Sequence, residues 1–186
     1  MSEQTEGFPP RLPLFFVALL PQGDAKFQIN NAKHQNSSRF ACRVALKTPP
    51  HITIVPPFRL EDEKVRTMIT AVKNHFEPPV NLTVKFGGVS AFENRTIFLD
   101  VLPDSAINAY DSAAKELVAQ HPDLFPTVKF HDAFHPHVTL ANRDILPEDF
   151  DEMMDFLNGL TYPTQTNNLR LEVLHLDRGR WEVVEL

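Results

Sequence analysis

The chain has 186 residues, 42% of them hydrophobic and 23% charged, and a net charge of −6 at neutral pH. This length and composition describe one domain, or two small lobes sharing a core, large enough to bury a stable interior without staples. Eighteen bases against 24 acids argue against a broad basic face for duplex nucleic acid, but holding a single phosphate takes only a few local donors. No stretch approaches the roughly 20 apolar residues that span a bilayer, so no membrane contact is expected. The apolar run Leu12–Leu20 contains Pro13 and follows the acidic Glu3 and Glu6, which makes a poor signal peptide. The lone cysteine, Cys42, cannot form an internal disulfide. A cytoplasmic monomer is expected.

Residues 1–10 read as a loose tail, and Leu12 to Leu20 as a buried strand ended by Pro21-Gln22-Gly23. From Asp24 to Lys47 no single period fits Phe27, Ile29, Phe40, Val44 and Leu46, so this stretch reads as a broken helix or a loop. His51 to Val55 is a short β-branched strand fenced by Pro49-Pro50 and Pro56-Pro57. Val65, Met68, Ile69, Val72 and Phe76 recur at helical spacing within Glu61–Phe76, and Pro78-Pro79 stops that helix. Val80, Leu82, Val84 and Phe86 alternate as a strand. Gly87-Gly88 reads as a bulge, and after a turn near Glu93-Asn94 the chain returns as a strand over Thr96–Val101.

The second half repeats this order. Ile107, Tyr110, Ala114, Leu117 and Val118 mark a helix beginning near Pro103, and a loop rich in Pro and His leads to the strand His137–Ala141. Phe150, Met153, Met154 and Leu157 mark another helix, with Pro147 in its first turn and Gly159 at its end. Leu169, Leu171 and Val173 alternate as a strand, Asp177-Arg178-Gly179 turns, and Trp181 to Leu186 returns. Each half thus reads helix, short strand, helix, strand, hairpin strand. At an offset of 86 residues (137 minus 51), His51 falls on His137. The expected organisation is a single domain over 1–186 with duplicated lobes at roughly 22–102 and 103–186, the opening strand 12–20 completing the sheets.

The repeated element carries chemistry. On a strand, residues i and i+2 share a face, so His51 and Thr53 point one way and Ile52 and Ile54 the other. His137 and Thr139 do the same, backed by Val138 and Leu140. Imidazole titrates near neutrality, so two histidines can act as base and acid on opposite sides of a phosphorus without a metal. Threonine hydroxyls can donate to the non-bridging oxygens where charge accumulates. One His-x-Thr is a weak signal; two at equivalent points of a duplicated plan are a strong one.

These residues resemble the two-histidine (2H) phosphoesterase superfamily, which includes the RNA 2′,3′-cyclic phosphodiesterases historically named 2′-5′ RNA ligases. The resemblance rests on Pro50-His51-Ile52-Thr53-Ile54, on Phe134-His135-Pro136-His137-Val138-Thr139-Leu140, and on the opening strand Leu14–Leu20. It implies a bilobal α+β fold whose two antiparallel sheets line a V-shaped cleft, and metal-independent hydrolysis of a 2′,3′-cyclic phosphate or a 2′-5′-linked nucleotide or RNA end. It also implies His51 and His137 as the acid/base pair, Thr53 and Thr139 as phosphate ligands, and a 2′-phosphomonoester as the usual product. Many members carry Arg three residues after the second Thr; here that position is Asn142, and Arg143 follows. A one-residue shift turns the side chain to the other face if the strand continues.

Three other readings of the same chain are a 2′-5′ RNA end-joining enzyme running the reaction backwards, a non-catalytic module that binds nucleotides or RNA ends, and a metallohydrolase. The last would use His131, His135 and His137, but no cysteine lies near them and Pro136 fixes the backbone between two of the three. No metal and no cofactor are expected. Phe58 and Phe134 flank the motifs as candidates for stacking on a nucleobase, core packing being the commoner role in so Phe-rich a chain.

Overall fold

The opening apolar run forms β1 (Leu14–Pro21), buried from Phe15 onward because both its faces are covered. The computed structural model describes residues 12–76 and 82–184. The expected tail over 1–10, the Pro78-Pro79 stop, Val80 and the last two residues of the closing strand lie outside that range.

The ambiguous stretch after β1 is one helix, α1 (Gly23–Phe40), followed by a 3-10 turn at Val44–Lys47. Its buried positions, Ala25, Ile29, Ala32, Lys33, Asn36 and Ser37, keep helical spacing. The buried face turns from apolar to polar halfway along, while Phe27 on the other side is 72% exposed. Hydrophobic periodicity could not reveal a helix whose inward face ends in Lys, Asn and Ser.

The strand that follows His51, β2 (Ile52–Arg59), does not stop at Pro56-Pro57 as expected. It is the edge strand of its sheet, and its register with β1 slips between the Phe15–Phe58 and Val17–Val55 pairs. At an edge, and at a bulge, the missing proline N–H groups take no ladder bond away. Helix α2 (Asp62–His75) then buries Met68, Ile69 and Val72. The hairpin of β3 (Val84–Phe92) and β4 (Thr96–Val101) carries the expected bulge at Gly87-Gly88, where the register shifts between Phe86 and Val89. A Cβ on Gly87 would stand 3.0 Å from Asp100 Cβ, which explains the glycine there.

In the second half, α3 (Ser105–Gln120) is capped by the Asp104 carboxylate, which accepts from the Ala106 and Ile107 N–H groups at 2.9 Å. The histidine-bearing strand β5 (His137–Asn142) and α4 (Phe150–Asn158) follow, the latter introduced by a 3-10 turn at Pro147–Asp149. A two-residue strand that the sequence reading did not mark, β6 (Gln165–Thr166), precedes the hairpin of β7 (Leu169–Asp177) and β8 (Arg180–Val183).

Two antiparallel sheets result, ordered β2-β1-β7-β8 and β5-β4-β3-β6. This is the expected α+β, two-sheet arrangement. Apart from the two-residue β6, the element order α-β-α-β-β occurs twice, as α1-β2-α2-β3-β4 and as α3-β5-α4-β7-β8. Each sheet combines the hairpin of one half with the histidine strand of the other, so the sheets do not follow a boundary near residue 102. Both β2 and β5 end up at the outer end of their sheets, and they approach one another. One continuous apolar core, from Phe15 to Val173, runs beneath both sheets. A small separate cluster of Phe16, Ala18, Leu20 and Leu174, with Trp181 against it, covers the opposite face of the first sheet. Among the described residues no helix is long and apolar enough to cross a membrane.

Candidate active site

The alternation read from the two motifs is present in both strands. Ile52, Ile54, Val138 and Leu140 are buried in the core, while His51, Thr53, His137 and Thr139 are only half-buried. The two imidazoles are held alike. His51 Nδ1 lies 2.8 Å from the Pro49 carbonyl, and His137 Nδ1 lies 2.8 Å from the His135 carbonyl. A carbonyl oxygen only accepts, so each Nδ1 carries the proton and each Nε2 is left free to take or give one.

Aromatic rings hold the imidazoles in place. The Phe16 ring packs 4.9 Å from His51 and is itself met edge-on by Trp181 at 4.5 Å. Across the cleft, Phe98 and Phe92 lie 4.9 and 5.1 Å from His137. Burial pushes the pKa of His51 down to about 4, and the charges of Lys33 and His137 add to that shift against the opposing bond to Pro49. Burial also lowers His137, assisted by His135 and opposed by the His135 carbonyl and the Asp100 carboxylate. Asp100 is register-paired with His137 on the neighbouring strand, and its carboxylate is hydrogen-bonded to His135 Nε2 at 2.8 Å.

Two cavities of about 480 Å³ each meet at Thr53. The one on the His51 side is the more polar of the two, with Lys33, Lys47, Thr48, Thr139, Asn142 and Arg143 in its wall beside Phe16, Leu176 and Trp181. The one on the His137 side is aromatic, with Phe92, Phe130 and Phe134 beside His131, His135 and His137. The structure therefore brings His51, Thr53, His137 and Thr139 to one cleft, with Phe134 on its aromatic side.

Arg143 also lines this cleft. The strand ends at Asn142, and Arg143 takes a left-handed conformation (φ 64°), so the alternation that would have turned it away no longer applies. Phe58 is a correction. It is fully buried, packed on Phe15 and edge-on to Phe125 at 4.9 Å, and no ligand can stack on it. It stands four residues after Ile54 on β2, on the same core face that simple alternation assigns it.

Lys33, Lys47, Phe16, Phe92, Asp100 and Trp181 were not singled out from the sequence. Their places depend on helix and sheet partners far along the chain, and no local pattern marks them. His131, His135 and His137 do line one cavity. However, His135 Nε2 is engaged by Asp100 and His137 Nδ1 by a carbonyl, and among the described residues no group of three or more His, Cys, Asp or Glu is gathered as metal ligands would be.

The model of the 2′-5′ RNA ligase superfamily matches residues 21–180. A protein of Shouchella clausii named "Putative phosphoesterase" is 26% identical over 175 residues, 92% of this chain and 95% of its own length. A Bacillus pumilus protein of the same name is 27% identical over 143 residues, 74% of this chain and 77% of its own. Among solved structures, E. coli LigT complexed with 3′-AMP aligns over 94% of this chain and 95% of its own, at a TM-score of 0.59 and 18% identity. LigT complexed with ATP aligns over the same shares at 0.53 and 17%. With its two His-x-Thr strands facing one cleft and the family model covering most of its length, the chain belongs to the 2′-5′ RNA ligase superfamily, the two-histidine phosphoesterases.

Proposed function

We propose that this protein is a metal-independent phosphodiesterase that opens 2′,3′-cyclic phosphates or cleaves 2′-5′-linked nucleotide and RNA ends, with His51 and His137 as base and acid. The observation that carries this reading is the matched pair of Nδ1–carbonyl bonds, which leaves an Nε2 free on each side of the cleft. The nucleotide complexes of the structurally similar LigT support a nucleotide as the ligand class.

The environments of the two rings argue for unequal roles. His51, buried beside the Lys33 ammonium, resists protonation and suits the base. His137 is steadied by the Asp100 carboxylate and takes a proton more readily, above all when an anionic phosphate enters. On a 2′,3′-cyclic phosphate, His51 Nε2 removes a proton from water as its oxygen attacks phosphorus. The P–O3′ bond breaks, and His137 Nε2 gives its proton to the departing 3′ oxygen, leaving a 2′-phosphomonoester. Thr53 and Thr139 donate hydrogen bonds to the non-bridging oxygens, and Arg143 adds a positive charge beside them.

Hydrolysis of nucleoside 2′,3′-cyclic phosphates and of 2′-5′ oligonucleotides in the presence of EDTA tests this. His51→Ala and His137→Ala should each lower kcat by roughly 10²–10⁴-fold. Activity that survives both substitutions, or vanishes with the chelator, would overturn the reading.

A further inference from the structure

Only one side of the cleft is cationic. The cavity beside His51 has Lys33, Lys47 and Arg143 in its wall and no Asp or Glu. In a chain with a net charge of −6 that is a strong local excess. The duplicated catalytic pair does not account for it. At the offset of 86 residues that carries His51 onto His137, Lys33 and Lys47 fall on Ala119 and Ala133, and Arg143 falls on Pro57. The histidines and threonines are repeated; the cations are not. Arg143 stands beside the reacting phosphate, and Lys33 and Lys47 therefore serve something that is bound on one side only.

Lys33 is the sharpest of the three. It projects from the polar half of α1's buried face and is 3% exposed. Its Nζ donates to the Thr48 carbonyl at 2.6 Å, and it pairs with no carboxylate among the described residues. Burial lowers its pKa to about 8, which still leaves the amine mostly protonated at pH 7. A buried, uncompensated ammonium is costly unless an anion meets it. An ordinary phosphodiester brings one negative charge, and that charge sits at the Thr53–Thr139 centre where the two cavities meet.

We infer that Lys33, with Lys47, forms a second anion subsite that selects substrates carrying a further phosphate group beside the scissile ester. This inference rests on the phosphodiesterase reading and adds a polarity to it. The reacting phosphorus sits between the histidines, and a phosphate on the 5′ carbon of the same ribose reaches Lys33.

The test compares kcat/KM for adenosine 2′,3′-cyclic phosphate with that for the same compound bearing a 5′-phosphate. A charge-assisted contact of this kind favours the phosphorylated substrate roughly ten- to hundredfold, chiefly through KM. Lys33→Met should reduce that ratio to within about threefold of unity. Lys47→Gln, which removes charge from an exposed position, should lower it severalfold and serves if the Met variant does not fold.

A ratio near one in the wild type would overturn the inference. So would a Lys33→Met variant that slows both substrates by the same factor, since loss of the Thr48 anchor alone would do that. If the wild type turns over neither compound, the phosphodiesterase reading fails by itself and calorimetric titration with inorganic pyrophosphate reads the subsite. Binding at least about tenfold weaker in Lys33→Met sustains the subsite, and equal binding by the two proteins rejects it.

Discussion

Folding holds the His51 ring neutral under conditions where a free imidazole would be charged. Burial is the main cause, and Lys33 and His137, the charged groups that face it, act in the same direction. The unfolded chain takes up this proton near pH 6.5 and the folded chain only near 4, so between those values the unfolded state binds more protons and stability rises with pH. Acidification through that window should therefore cost up to about 3 kcal/mol from this group. Lys33, shifted to about 8, titrates outside the window. Urea unfolding of the wild type and of His51→Gln at several pH values between about 4 and 7 checks the expectation, with a shallower pH dependence expected for the variant. The same depression should draw the acid limb of kcat/KM well below 6.5. At this scale the sequence was most readable where the chemistry is local: His-x-Thr and its apolar backing occupy four consecutive residues. Lys33 and Asp100 escaped because each acquires its meaning from a neighbour brought in by tertiary structure.

Among the elements, the connection after α1 is held by a single carboxylate from the other half of the chain. Asp144, just beyond β5, accepts from the Cys42 thiol at 2.8 Å and from the Arg43 and Val44 N–H groups at 2.6 and 2.9 Å. Burial opposes its ionisation, but these donors outweigh that and hold its carboxyl below the usual range. Burial first, and then Asp144, push the Cys42 thiol up to about 12, which leaves it unreactive. The two segments so joined are the ones that contain the left-handed Ala41 and Arg143, and they lead into Lys47 and the cleft. Asp144→Ala should lower the unfolding free energy by about 2–3 kcal/mol, measured by denaturant titration. It should also speed labelling of Cys42 by a thiol reagent; unchanged labelling would mean that the clamp does not seal the thiol. None of this was legible beforehand, because the bond joins residues about a hundred apart. Elements with a clean apolar period, α2 and α4, were read correctly, whereas α1 and the passage of β2 through its prolines depended on which neighbours cover them.

For the molecule as a whole, the duplication was visible in the sequence but the exchange of strands was not. An offset of 86 residues aligns the motifs, yet which hairpin each histidine strand joins is decided by sheet register between distant segments. The exchange has a mechanical consequence. Sheet β5-β4-β3-β6 takes its first and last strands from the second half and its middle pair from the first, while β7 and β8 complete the sheet begun by β2 and β1. A fragment ending at residue 102 would keep the β3-β4 hairpin without β5 and the β2-β1 pair without β7, exposing Ile97, Leu99 and the inner face of β1. The complementary fragment from 103 would hold β5 with no partner at all. Neither piece can close the core that runs from Phe15 to Val173, and small sheets with bare apolar faces do not stand alone. Expressed separately, residues 1–102 and 103–186 should each lack a cooperative thermal transition by circular dichroism, and mixing them should restore one together with phosphoesterase activity. A cooperative transition in either fragment alone would show that its half of the core is self-sufficient. The two motif histidines would then come from two lobes that merely touch, rather than from one interleaved structure that must assemble before either histidine meets the other.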